Sequence, residues 1–120
     1  MDPLILLERT RDIIGKELTH NIQSMELMDE HFMLKVIFDQ GSLLFIRYNE
    51  FHEYSYQFFF SQQKNDYIRY DNFDDRWNVI SRPHHFHDRD KQVISSEMNG
   101  DPKHDIPLLT NFLKKILNNN

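Results

Sequence analysis

The spacing of apolar positions changes along this chain. At the start, Asp2-Pro3 offers an acceptor for free amides followed by a residue that needs no donor, which predicts a short helix from Pro3 to about Ile14, ending near Gly15. Beyond it the period shortens to two. Ile22–Met28 reads as a strand of mixed pattern and Phe32–Phe38 as a clearer one. Asp39-Gln40-Gly41-Ser42 is turn chemistry, and Leu43–Tyr48, nearly all apolar, returns as the second arm of a hairpin at the centre of a sheet. In the next strand Tyr54, Tyr56, Phe58 and Phe60 point one way, and Ser55 and Gln57 the other. After the polar turn Gln62–Asn65, Asp66–Asp71 forms a further strand, with Ile68 and Tyr70 on one face and Tyr67, Arg69 and Asp71 on the opposite one.

From Asn72 to Lys103 the period is lost, apart from a short strand over Gln92–Ser96; long irregular segments in small domains are often functional loops. Asp105 is then read as the cap of a helix with Pro107 in its first turn. Leu108, Leu109, Phe112, Leu113, Ile116 and Leu117 form its apolar stripe, and Asn118 to Asn120 should fray. The whole reads as one α+β domain over 1–120: an antiparallel sheet of about five to six hairpin-linked strands flanked by an N-terminal and a C-terminal helix.

Composition and charge add further constraints. Ten Phe, five Tyr and one Trp against three Gly imply a dense aromatic core. The absence of cysteine removes disulfides, thiolate nucleophiles and cysteine-ligated zinc, and fits a reducing compartment. The apolar run Leu4–Leu7 is too short to span a bilayer and lacks the flanks of a signal peptide, so no membrane role and a cytoplasmic residence are expected. A net charge of −5 argues against wide capture of a nucleic acid duplex and leaves room for a small basic pocket gripping one strand. Between Arg69 and Lys91 five cations balance five aspartates, so His84, His85 and His87 set the charge there.

The candidate chemistry is a conjunction of two polar segments. "YIRYDN" brings Arg69 and Asp71 to one strand face, with Asn72 at the strand exit, and a dozen residues later "SRPHHFHD" supplies Arg82, His84, His85 and His87. If the loop folds back, these are the parts of a metal-independent site for phosphoryl transfer on RNA. One histidine would take the 2′-hydroxyl proton and a second would protonate the leaving oxygen. Arg69, with Asn72 and Arg82, would hold the phosphate, and Asp71 would fix a histidine tautomer. A structural Arg–Asp pair and an exposed polar loop are the plainer alternatives. A third is a metal held by His85, His87 and Asp71 or Asp88, although no HExxH-like spacing supports it. No Gly-rich phosphate loop exists and no cofactor is expected. The Tyr/Phe-rich strand could stack bases, but its alternation favours core packing; Trp77, between the two segments, is a lid or a contact surface.

In order, "GSLLFIR", "YSYQF", "YIRYDN" and "RPHHFH", followed by an amphipathic C-terminal helix, resemble the TumE family of small prokaryotic toxins. The resemblance runs from about Gly41 to the C-terminus. It implies growth inhibition, a role as the toxin of a type II toxin–antitoxin pair, and a cognate antitoxin as partner. It leaves the reaction open, so a ribonuclease, a metal-dependent hydrolase and a non-enzymatic interaction module all stand, as does a homo-oligomer. One departure is visible. Where the family pattern often continues after Asp-Asn with an Ala-Pro-His-His-like segment, this chain has Phe73-Asp74-Asp75-Arg76-Trp77.

Overall fold

A computed structural model describes residues 1–118 of the 120. Helix α1 (Pro3–Glu17) starts as expected: the Asp2 carboxylate accepts from the Leu4 amide at 2.9 Å and Pro3 occupies the first turn. It runs past the expected stop. Gly15 lies inside the helix, where a side chain would just touch the Met25 methyl, at 3.4 Å, so this glycine marks a close helix–strand approach rather than an end.

Among the described residues, seven strands form one sheet in chain order, each antiparallel to the next. They are β1 (Ile22–Met28), β2 (Met33–Phe38), β3 (Leu43–Tyr48), β4 (Tyr54–Phe59), β5 (Tyr67–Asp71), β6 (His85–His87) and β7 (Val93–Ser95). The fold is α+β with a helix at each end of the sheet's sequence, as expected, but with more strands. The additional one is β6, which holds three residues only. A period of two cannot declare itself over so short a run; what makes it a strand is pairing with β5 on one side and β7 on the other.

The register divides the sheet into two faces. One row runs Leu34, Ile46, Tyr56, Tyr70, Phe86 and Ile94 across successive strands, and a second runs Val36, Leu44, Phe58 and Ile68. These rows face the helix side; apart from Ile94, which is exposed at the edge, they pack with Leu7, Ile14, Ile106, Leu109 and Leu113 in and around the core. The intervening rows point to the opposite, helix-free face, because successive side chains alternate. One of them runs Lys35, Phe45, Gln57, Arg69, His87 and Val93; another runs Met33, Arg47, Ser55, Asp71, His85 and Ser95.

Helix α2 (Pro102–Leu117) corrects the expected start. Its N-cap is Asp101, whose carboxylate accepts from the Lys103 amide, and Asp105 lies within the first turn. Asp105 is fully buried and has another task. It accepts from the amides of Asn99 and Gly100 at 2.9 and 2.7 Å, from the Tyr56 hydroxyl at 2.6 Å, and pairs with His104 Nδ1 at 2.7 Å. A buried carboxylate is tolerated when its lone pairs are filled in this way, and here it ties α2 to the centre of the sheet. At the helix end, the Asn118 amide donates to the Lys114 carbonyl; the rest of the expected fraying, at residues 119 and 120, lies outside the described residues. Among the described residues, no helix is long and apolar enough to cross a membrane.

Candidate active site on the helix-free sheet face

Antiparallel pairing of β5 with β6 sets Arg69 opposite His87 and Asp71 opposite His85. Because the paired residues lie two apart on each strand, all four side chains rise from the same face and meet. Arg69 Nε donates to Asp71 Oδ2 at 2.5 Å, and Arg69 Nη2 lies 3.2 Å from His87 Nε2. His85 Nε2 is 2.7 Å from Asp71 Oδ1, and His87 Nε2 is 3.7 Å from Asp71 Oδ2. The side chains of His85 and Asp71 are only 2% and 3% exposed, that of His87 is 14% exposed and that of Arg69 32%. The cluster is thus layered, with a dry Asp71–His85 base beneath an accessible Arg69 and His87.

The hydrogen bonds assign most of the protons. A guanidinium only donates, so His87 Nε2 accepts from Arg69 and the ring is uncharged. The His87 pKa is lowered from 6.5 to about 4, chiefly by burial and next by the Arg69 charge; Asp71 opposes, and His85 and Lys91 add to the lowering. The Pro83 carbonyl lies 2.9 Å from His85 Nδ1 and only accepts, so Nδ1 carries the hydrogen. With that tautomer, Nε2 of a neutral His85 would turn a lone pair toward Asp71 Oδ1. The two atoms are close but poorly directed, and Oδ1 is left without a hydrogen-bonding partner. A hydrogen on Nε2 as well would turn that contact into a bond.

Trp77 closes one side of the cluster, with its ring 6.0 Å from His85 and 5.6 Å from His87. Arg76 stacks on the same indole at 4.6 Å. The sequence pattern marked Trp77 only as a lid or contact surface; the structure makes it the wall of the site.

Three expected members are elsewhere. Alternation along β6 and its approach turns His84 to the helix side, where it stacks on Tyr54 and its Nδ1 lies 2.9 Å from the Tyr54 hydroxyl. Burial raises the Tyr54 pKa, so that hydroxyl keeps its hydrogen. Asn72 spends both ends of its amide on backbone, accepting from Tyr54 N and donating to the His52 carbonyl. Arg82 faces Asp75 at 3.6 Å on the exposed surface.

Asp71, His85 and His87 also carry ligand atoms within 4.8 Å of one another, the donor set of a two-histidine, one-carboxylate metal centre. The Pro83 carbonyl on His85 Nδ1 resembles the support such ligands receive. Arg69, however, already bonds to Asp71 and His87, so a guanidinium stands where a cation would bind and must leave before one can.

A family model described as Toxin TumE matches residues 5–119. No curated protein and no solved structure matches the chain.

Proposed function

The chain belongs to the TumE family of toxins, the toxin half of a toxin–antitoxin pair, and on that footing we propose that it inhibits growth as a metal-independent ribonuclease of a type II system, acting through Arg69, Asp71, His85 and His87. The observation that carries this reading is the four-residue cluster, with its cation and uncharged imidazole toward solvent and the buried Asp71–His85 contact beneath, where this scheme places a proton. A substrate phosphate draws Arg69 away from Asp71 and His87, because a dianionic or monoanionic oxygen pair suits the guanidinium fork better than an imidazole does. That movement frees the His87 Nε2 lone pair. His87 then takes the 2′-hydroxyl proton while the 2′ oxygen bonds to phosphorus and the bond to the 5′ oxygen breaks. The departing 5′ oxygen takes the proton held between Asp71 and His85, uncovered once Arg69 has moved. Arg69 stabilises the charge on phosphorus throughout. His84, Asn72 and Arg82 stand outside this scheme.

Purified protein incubated with RNA should yield ends bearing 2′,3′-cyclic phosphate, and a single 2′-deoxy nucleotide at the cut position should block the cut. RNA left intact by a preparation that still arrests growth when expressed defeats the proposal.

A second reading has an observation of its own, the unpartnered buried Oδ1 of Asp71 aimed at His85. In it, Asp71, His85 and His87 would hold a divalent cation in place of Arg69, and that ion would supply an activated water for hydrolysis. Activity abolished by a chelator and restored by added metal selects this reading over the first.

A further inference from the structure

We propose that the helix-free face of the sheet is a platform for single-stranded RNA, on which Phe45, Phe59 and Tyr67 stack successive bases and deliver the strand to Arg69. This inference rests on the ribonuclease reading and names its substrate class. Phe45 on β3, Phe59 on β4 and Tyr67 on β5 rise from neighbouring strands on this face: Leu43 pairs with Phe59 and Phe59 with Tyr67, while Phe45 stands in the adjoining row that leads to Arg69. Their rings form a continuous line, with centroids 5.8 Å apart between Phe45 and Phe59 and 5.5 Å between Phe59 and Tyr67. None belongs to the core cluster, and each is half-buried; the Lys91 ammonium already rests on the Tyr67 ring. Aromatics carried by adjacent strands of an uncovered sheet are the arrangement that stacks unpaired bases, since every base has a π face.

Charge selects the occupant. The chain carries a net charge of −5, yet this face holds Lys35, Arg47 and Arg69, and Lys91 sets its ammonium 3.7 Å from the centre of the Tyr67 ring. The acids in the same rows are Glu26, on the far edge beside Lys35, and Asp71, already engaged by Arg69. Cations interleaved with aromatics suit a phosphate backbone and its bases together. Phe51 and Ile80, large apolar side chains of the kind a protein partner buries, lie in loops outside these strand rows, and Ile94 stands in a helix-side row. The Arg69 guanidinium carbon is 5.9 Å from the Tyr67 ring centre, so a base resting on Tyr67 leaves its own phosphate within reach of the cluster. A duplex hides its base faces and cannot use the platform.

The test is binding of an uncleavable single strand, 2′-O-methyl RNA, compared with the same strand annealed to its complement, by the full chain. Wild type should prefer the single strand. Phe59→Leu and Tyr67→Leu keep apolar bulk for folding but cannot stack, and each should weaken single-strand binding roughly 5- to 100-fold with the melting temperature little changed. Lys35→Glu and Arg47→Glu should flatten the dependence of log affinity on log salt by about 0.7 for each phosphate no longer neutralised. The platform is overturned by Leu variants that bind as wild type does, by equal affinity for strand and duplex, or by Leu variants that keep RNA binding and lose only capture of the antitoxin. Cleavage and binding fail separately: stacking-dependent binding without any cut sinks the ribonuclease and spares the platform, whereas undiminished cutting by the Leu variants does the reverse.

Discussion

Arg69 directs Nη2 at Nε2 of His87 across 3.2 Å, from the neighbouring strand, in a bond that only an uncharged imidazole can accept. An arginine facing a histidine is ordinarily a repulsive pair, and here it sets the histidine's charge. Substitutions at these two positions should therefore remove toxicity without removing the fold. Arg69→Ala and His87→Ala, expressed in the host, should each restore growth, and their purified forms should melt within a few degrees of wild type. His84→Ala, on the other side of the sheet, should stay toxic and lose about 1 kcal/mol of stability with the Tyr54 hydrogen bond. Full toxicity of both cluster variants places the activity elsewhere.

The pH dependence has a definite sign. His87 is held near 4 in the folded chain against 6.5 for an unperturbed imidazole, so the unfolded chain binds its proton first as pH falls. The stabilising contribution is complete above about 6.5 and is withdrawn as pH drops through about 4. Thermal melts between these values should show the decline, and His87→Phe should flatten it. Arg69→Ala removes a positive neighbour and should move the His87 titration, followed by imidazole NMR, toward 6.5.

Asp71→Ala should be the most damaging change in the cluster. It leaves Arg69 and His85 facing each other without the carboxylate that both meet, and breaking so buried a pair costs about 3–5 kcal/mol. Denaturant unfolding measures it. A loss below 1 kcal/mol would mean that water or another acid fills the gap.

Asp105→Ala should destabilise the chain by roughly 3 kcal/mol or more, because two amides and the Tyr56 hydroxyl lose their acceptor together. Asp105→Asn keeps one acceptor oxygen and should recover part of that loss. On the ribonuclease proposal, any residual folded protein should keep the wild type's activity, since Asp105 lies on the helix side of the sheet.

Excess chelator should leave activity unchanged, since Arg69 already supplies the positive charge between Asp71 and His87. Inactivation reversed by a divalent ion would favour the metal reading, and elemental analysis of the purified protein would then find that ion bound.

Much of this site was legible in the linear pattern, and the limits have physical causes. Period two along Tyr67–Asp71 gave Arg69 and Asp71 a common face, whereas His85 and His87 share one because pairing makes β6 extended. Direction was harder to read than proximity. Asn72 and Arg82 border the right residues but point to backbone and solvent, because each lies where a strand ends or a loop turns. The choice between Asp101 and Asp105 as helix cap was ambiguous locally, since a proline follows each within two residues; the Tyr56 hydroxyl, distant in sequence, claims Asp105 for the interior. The aromatic line had to await the register of three strands. Once Arg69 is fixed on the helix-free face, alternation assigns Tyr67 to it, but only long-range pairing brings Phe59 alongside.

The split of "PHHFH" between two sides of one thin layer has an evolutionary corollary. His84 and Phe86 serve the interior while His85 and His87 serve the site, so parity along five residues encodes both jobs at once. Point substitutions there can be absorbed one side at a time. An insertion or deletion of a single codon between Pro83 and His87 exchanges the two sides wholesale, presenting a phenyl ring to Arg69 and driving imidazoles into the hydrocarbon interior. A change of length in this segment therefore disturbs interior and site together, whereas a substitution disturbs one of them.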